Sequence, residues 1–291
     1  MIPYLTVTDV RALPGDSAFL LDDSKTSVLY DTGFGFTGFV VAENIKKILG
    51  GRKLDYIFLT HSHYDHALGS AYILRHFPDA KVVAGEYAAN IFTRPGAKAV
   101  MRDLDGRFAA KNGVTEYEFL GDELRVDIAV KDGDIVKAGD MTFEAIALPG
   151  HTKCSFGFYL KEKKLLLSCE TIGIYSGTEV ITPSFLVGVD MALNSIRKLK
   201  SYDIERMIAP HYGLVSEKET AFFLDNIEPS AKEAVAFFVD RLTKNISRED
   251  IIEEYSRIYC RFESGDIYPR DAMVLNTSIM IDLVEKEVLK R

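Results

Sequence analysis

Short apolar runs separated by turn residues alternate with helical stripes over the first two thirds of the chain, a pattern typical of a mixed α+β protein. The runs predict strands at residues 5–10, 18–21, 27–30, 56–60, 82–83, 124–130, 141–148, 155–160, 165–168 and 207–209. Apolar residues spaced by three or four predict three helices between the strands. The first has the stripe Val41, Ile45, Ile48 and Leu49 and ends at Gly50-Gly51, the second covers about 67–77, and the third is capped by Asp190 and has the stripe Leu193, Ile196 and Leu199.

Two segments depart from this alternation. Residues 86–117 mix charges with Ala and Phe around Pro95 and Gly96, which predicts two short helices in an insertion that caps another part of the molecule. Beyond residue 216 the pattern is helical, and Ser247 and Asp250 resemble a capping box there. We therefore predict a strand-rich domain at 1–215, with the insertion at about 86–117, and a helical C-terminal extension at 216–291.

The densest group of reactive side chains is the hexapeptide 61–66, which directly follows the apolar run 56–59. His61, His63, Asp65 and His66 all carry metal-binding atoms, and the whole chain has only six histidines. A strand delivers its last residues at the edge of a sheet, so ligands placed just beyond it converge on one point. The hexapeptide therefore predicts a metal site.

Three further metal-binding side chains also follow apolar runs. His151 comes after Leu148-Pro149-Gly150, Glu170 after the run 165–169, and His211 after Ile208-Ala209-Pro210. One sheet edge can gather these loops and the hexapeptide around a single cavity, and hydrolytic metal sites are built from such histidine and carboxylate sets.

These motifs, with Asp31-Thr32-Gly33 before the hexapeptide and Gly150-His151-Thr152 after it, resemble the metallo-beta-lactamase superfamily. The resemblance covers roughly residues 1–215 and implies an αββα sandwich with a two-metal site between its sheets. It implies that His61, His63 and His151 hold the first metal and that Asp65, His66 and His211 hold the second. Asp31 matches a residue that braces the ligand loop without binding metal.

Glu170 departs from the family pattern, because it stands where the family has a bridging Asp. A Glu reaches about one methylene further and has one more torsion to fix. It therefore bridges both metals, binds only one, or stretches the pair beyond the roughly 3.5–4 Å typical of cooperating metals. The body plan, with its helical insertion, the step Thr171-Ile172-Gly173 and a helical extension, looks most like the thioesterases that act on coenzyme A conjugates in quinolone signalling.

Composition and charge restrict the partners and the cellular location that we expect. The formal net charge of −8 argues against nucleic acid as the main partner, because phosphate binding needs a basic face. Three cysteines without a spacing pattern, no signal-peptide pattern and no run long enough to span a bilayer predict a cytoplasmic protein without a membrane partner. We expect a small-molecule substrate. The helical extension has two apolar stripes that leave a homodimer open, one of Val235, Phe238, Val239 and Leu242 and one of Ile251, Tyr255, Ile258 and Tyr259.

The predicted function is metal-dependent hydrolysis of a thioester or ester, in which hydroxide formed at the metals attacks the acyl carbonyl and Asp65 orients the nucleophile and accepts its proton. Zinc is favoured for the two divalent ions, with iron and manganese as alternatives. A lactonase or phosphodiesterase could use the same site, and a ligand-sensing or partner-binding protein is the alternative of another class. Four aromatic residues near the ligand loops are candidates for a substrate pocket, namely Tyr64, Tyr175, Phe185 and Tyr212.

Overall fold

Two six-stranded sheets stack face to face at the centre of the protein, whose computed structural model describes residues 4–260 and 270–290. The first sheet has the order β1-β2-β3-β4-β5-β6 and the second the order β14-β13-β10-β9-β8-β7. The strands of the first sheet are β1 Thr6–Asp9, β2 Phe19–Asp22, β3 Ser27–Tyr30, β4 Tyr56–Phe58, β5 Lys81–Gly85 and β6 Ile128–Val130. Those of the second are β7 Ile135–Ala138, β8 Met141–Ala147, β9 Phe156–Leu160, β10 Leu165–Leu167, β13 Arg206–Ala209 and β14 Gly213–Val215, and a separate pair consists of β11 Ile174–Tyr175 and β12 Ile181–Thr182.

Alternating side chains divide each sheet between two cores. Phe19 and Leu21 of β2 point into the core between the sheets, whereas Leu20 lies in the core on the outer face. In the inner core Phe58 contacts Phe143 and Phe158 of the second sheet, with ring centroids 4.9 and 4.7 Å apart. This two-residue period is what lets both faces of a sheet be buried.

Helices cover both outer faces, which completes the predicted αββα layers. They are α1 Gly38–Leu49, α2 Tyr64–Ala67, α3 Gly69–His76, α4 Glu86–Phe92, α5 Pro95–Lys111, α6 Val189–Lys198, α7 Glu217–Thr243, α8 Arg248–Tyr259 and α9 Arg270–Leu283. Helices α1 and α3 share a buried core with the first sheet, and α6 and α7 share one with the second. The fold class predicted from the sequence is confirmed.

The predicted insertion and extension are both helical in the structure. Residues 86–117 contain α4 and α5, and Pro95 is the first residue of α5, where its missing N–H costs nothing. In the extension, Ser247 caps α8 by accepting a hydrogen bond from the backbone N of Asp250 at 3.2 Å. Of the predicted extension, residues 261–269 and 291 lie outside the described residues, and the boundary at 215/216 stays a prediction.

Three local predictions differ from the structure, the first because a distant residue decides it. Asp190 does not cap α6, because the helix begins at Val189 and the carboxylate of Glu287, from the C-terminal extension, accepts the Val189 N–H at 2.9 Å. Ile48 shares the helical spacing of Val41, Ile45 and Leu49, yet it is 39% exposed whereas the other three are buried. The strand predicted at 124–130 is only Ile128–Val130, after a short 3₁₀ turn.

Within the described residues, no helix combines the length and the apolar character that crossing a bilayer requires.

Candidate metal centre

The hexapeptide forms the loop and first helical turn after β4. Backbone pairing continues past the strand, because the Leu59 N–H donates to the carbonyl of Val83 at 2.9 Å, so the next residues leave the sheet at its edge. His61 and His66 are fully buried, whereas the side chain of Asp65 keeps 21% of its surface exposed. Asp65 and His66 lie in α2, which turns both side chains toward the same point as His61.

The other three predicted ligands come from the second sheet. His151 follows β8, Glu170 lies in the short 3₁₀ turn after β10, and His211 follows β13. His211 has a φ of +62°, a left-handed conformation that a non-glycine residue rarely adopts without support. Arg11 supplies part of that support, since its guanidinium donates to the carbonyl of His211.

All seven predicted ligands meet in two adjoining groups. The first group is His61, His63, His151 and Glu170, and the second is Asp65, His66 and His211. Within each group the candidate ligand atoms lie within 4.8 Å of one another. Side chains from seven positions spread over 151 residues of sequence are thus gathered as the sequence predicted.

Glu170 lies between the two groups with one oxygen toward each. Its Oε2 is 2.7 Å from His151 Nε2 and 4.0 Å from His61 Nε2. Its Oε1 is 3.1 Å from His211 Nε2 and 3.8 Å from His66 Nε2. The extra methylene relative to Asp therefore does not withdraw the carboxylate from either group.

Two buried nitrogen atoms indicate that cations fit here. Among the described residues, His61 Nε2 and His66 Nε2 are buried and have no hydrogen-bond partner. An unpaired buried polar atom is costly, so such atoms are expected where a ligand completes them. One orphaned nitrogen falls in each group, so the donor set suits one divalent cation per group.

The opposite ring nitrogens are held by other side chains and carbonyls. His66 Nδ1 lies 2.8 Å from Asp31 Oδ2, and Asp31 also accepts the Thr60 N–H at 2.8 Å. His151 Nδ1 lies 2.8 Å from Ser184 Oγ, and His211 Nδ1 donates to the carbonyl of Gly15 at 2.9 Å. Such partners fix the ring orientation and leave Nε2 for a metal.

Sequence reasoning found Asp31 but missed these other partners. Thr60 directly precedes the hexapeptide, and its Oγ1 is 3.0 Å from His61 Nδ1, so adjacency was a usable signal. Ser184 and Gly15 are 33 and 196 positions away from the histidines they hold. No local pattern marks residues that meet only after the two sheets have packed.

Burial and neighbouring charges set the protonation of the site. Burial lowers the pKa of His63 to about 3, and burial with the nearby histidines holds the pKa of His61 well below its usual value. Burial opposes the charge of Glu170, yet His151 and its other partners hold the carboxyl pKa well below its usual value. Neutral imidazoles and an ionised carboxylate are the forms that bind metal, so His61, His63 and Glu170 are in those forms. Burial opposes the charge of His66 too, yet Asp65 and Asp31 hold its imidazole pKa well above its usual value, so His66 must release a proton when it binds metal.

A cavity of about 410 Å³ opens above the ligands. Its floor includes His63, Asp65 and Glu170, and its described walls come mainly from α5 of the insertion and α9 of the extension. Tyr64 lines this cavity, as predicted for a pocket residue. Of the other three predicted pocket aromatics, none belongs to the described lining. Tyr175 packs on Tyr212 with ring centroids 4.6 Å apart, and Phe185 packs against Phe238 at 6.5 Å, so their part in a substrate pocket stays a prediction.

Comparison with known proteins decides the family. The model of the metallo-beta-lactamase superfamily matches residues 13–211, which include all seven candidate ligands. The chain belongs to the metallo-beta-lactamase superfamily. In this superfamily member the two His/Asp/Glu groups imply divalent metals, and the resemblance inferred from the motifs is confirmed.

Several curated proteins with different names are similar to this chain. The chain is 28% identical over 209 residues to a beta-lactamase-like protein 2 homolog of Caenorhabditis elegans, which covers 71% of this chain and 58% of that protein. It is 24% identical to an acyl-coenzyme A thioesterase of Gallus gallus, over 53% of this chain and 55% of that protein. It is 25% identical to hydroxyacylglutathione hydrolase 1 of Vibrio vulnificus, over 83% of this chain and 74% of that protein. The chain spans about half the length of the first curated relatives that it matches.

Solved structures share the whole fold. A metallo-beta-lactamase family protein from Thermus thermophilus aligns with a TM-score of 0.64 over 97% of this chain and 93% of its own, at 18% identity. A superfamily protein from Sulfolobus tokodaii aligns with a TM-score of 0.57 over 97% and 98%, at 17% identity. At these identities the likeness describes the fold alone.

Proposed function

We propose that this protein is a metal-dependent hydrolase that cleaves the acyl bond of a small thioester or ester. Two observations together carry the proposal. Each oxygen of the Glu170 carboxylate faces a different one of the two groups, and each group contains a buried histidine nitrogen without a hydrogen-bond partner. We assign His61, His63 and His151 to one cation, Asp65, His66 and His211 to the other, and Glu170 to both. Zinc is the favoured ion, with iron and manganese as alternatives.

Divalent cations in this site would supply Lewis acidity and lower the pKa of water, so that hydroxide is available near neutral pH. Asp65 orients the attacking water and accepts its proton. This role is supported by its position in the cavity lining and by the exposed part of its carboxylate. The oxygen of water forms the new bond to the acyl carbon and the bond to the carrier sulfur or oxygen breaks. The products are a carboxylate and a thiol or alcohol. Asp65 accepts one proton of the water and passes it to the departing sulfur or oxygen, and the second proton goes to solvent.

A thioester bond is favoured over other bonds for two reasons. A thiolate leaves without protonation, so the reaction needs no general acid in addition to the ligand groups. Relatives are named as an acyl-coenzyme A thioesterase and as hydroxyacylglutathione hydrolases. A phosphodiesterase is the second candidate, because one relative, 29% identical over 48% of this chain, is named ribonuclease Z.

The test replaces one proposed ligand and one unrelated histidine. His63→Ala should reduce the rate of thioester hydrolysis by more than the roughly 10–100-fold that is typical when a residue hydrogen-bonded to a metal ligand is lost. His76→Ala is the matched control, since His76 lies at the end of α3, next to Glu43 at 3.4 Å and outside both groups.

Metal content of both variants is measured by elemental analysis, and two ions per chain are expected in the wild type. If metal-stripped His63→Ala hydrolysed the thioester as fast as the wild type, the proposal would be refuted. A panel that included a phosphodiester would identify the second candidate if only that bond were cleaved.

A further inference from the structure

Two helices outside the metal centre present one face each to the cavity. Helix α5 contributes Val100, Leu104, Arg107, Phe108 and Lys111, and α9 contributes Asp271, Ala272, Leu275, Asn276 and Ile279. The spacings of three and four residues put each set on a single helix face. Neither helix carries a proposed ligand, so these faces are free to determine which substrate fits.

Most of the side chains on the two faces are apolar, and some are exposed. Val100 is 59% exposed and Leu275 is 48% exposed, although both line the cavity. Phe108 packs on Phe34 with ring centroids 4.5 Å apart, and both rings belong to the lining. Apolar surface held open beside a reaction centre is covered favourably by an apolar part of the substrate.

The basic side chains lie at one end of the α5 face. Lys111 is paired with Asp271 of α9, with Nζ 2.5 Å from the carboxylate, so the charges of this pair offset each other. Arg107 is paired with Asp103 at 2.8 Å, but these side chains are 68% and 56% exposed, and Asp103 does not line the cavity. An ion pair this exposed is weak, so the guanidinium can exchange Asp103 for a carboxylate or phosphate of a ligand.

We infer that the preferred substrate has an apolar acyl group longer than acetyl, which lies between α5 and α9, on a carrier with an anionic group that pairs with Arg107. The inference rests on the proposed function, because the bond that is cleaved is the acyl bond described above. Arg107 is exposed, so the carrier lies at the rim of the cavity. The acyl group packs against the apolar side chains of the cavity wall. The volume of about 410 Å³ lies within the range of small-molecule sites.

The experiment uses four thioesters that differ in one property at a time. Acetyl and octanoyl thioesters of 3-mercaptopropionate are compared with the same thioesters of its neutral methyl ester, and thiol release is followed on the metal-loaded protein. We expect kcat/KM to be at least about tenfold higher for octanoyl than for acetyl. We expect the anionic carrier to be preferred by about two- to fivefold at low salt and not at high salt.

Each preference has a variant and a control on the same helix. Leu275→Asn should reduce the octanoyl preference about threefold or more, whereas Val274→Asn, which alters an exposed neighbour outside the lining, should keep it. Arg107→Gln should abolish the anionic preference. Arg102→Gln should keep it, because Arg102 stacks on Phe119 at 4.4 Å and does not line the cavity.

Two results overturn the inference: equal kcat/KM for acetyl and octanoyl thioesters, or a preference for the neutral carrier. If no thioester is hydrolysed, the proposed function fails by itself, and calorimetric binding of octanoate and acetate then decides the inference. Octanoate binding that Leu275→Asn weakens would support the cavity assignment, and equal binding of the two acids would refute it.

Discussion

One added methyl group at Gly69 should damage the metal centre. Gly69 is the first residue of α3 and packs on the loop that follows β3. A Cβ at Gly69 would lie 2.9 Å from the carbonyl carbon of Thr32, closer still to its oxygen, and 3.1 Å from the oxygen of Phe34. All three atoms belong to the backbone, so no side-chain rotation relieves the clash.

The displacement would reach His66 through two hydrogen bonds. Thr32 donates to the carbonyl of His66 from its backbone N at 2.8 Å and from Oγ1 at 2.7 Å. Asp31, the neighbour of Thr32, holds the His66 ring. Overpacking costs about 1–3 kcal/mol and each strained hydrogen bond about 1 kcal/mol, so Gly69→Ala should lower the free energy of unfolding by about 3–5 kcal/mol. It should also weaken metal binding at the second group.

Urea unfolding and elemental analysis measure the two effects. The matched control is Gly96→Ala in α5, where an added Cβ meets no atom within 4 Å and should stabilise the helix by up to about 1 kcal/mol. The reasoning is refuted if Gly69→Ala unfolds at the wild-type urea concentration and retains two metal ions per chain.

Three further predictions concern metal binding and pH. Arg11→Ala removes the donor to the His211 carbonyl, so metal content should fall from two ions toward one per chain by elemental analysis, while Arg52→Ala, at an exposed ion pair with Asp22, should keep both. Burial raises the pKa of Asp105 to about 6, so the folded state binds the carboxyl proton more tightly than the unfolded chain does. The free energy of unfolding of the wild type therefore falls as the pH rises from about 4 to 6 and this carboxyl ionises. Asp105→Asn cannot ionise, so its unfolding free energy relative to wild type should improve by up to about 3 kcal/mol between pH 4 and 7 in urea titrations, and an unchanged difference would contradict the assignment. Chelation should lower the thermal midpoint, by the equivalent of about 4 kcal/mol if the free metal had been 1,000 times its Kd, and re-added zinc should restore it.

Some features of the fold and site follow from neighbouring residues alone. Strand β3 occupies Ser27–Tyr30 as predicted, and α1 ends at Leu49 because Gly50 adopts a left-handed φ of +58°. His151, Glu170 and His211 could be singled out because each follows an apolar run that had to be a strand. Period and turn chemistry act over a few residues, so they are legible in the sequence.

Other features were decided only when distant segments packed together. Glu287 caps α6 from 98 positions away, which no reading of Asp190 could have revealed. The cavity wall pairs α5 with α9 through Lys111 and Asp271, which are 160 positions apart. The sequence by itself thus determined which side chains could bind metal and which strands would present them. Tertiary structure decided their supports, the position of Glu170 between the two groups and the shape of the cavity, because those contacts depend on how the two sheets and the helices around them pack.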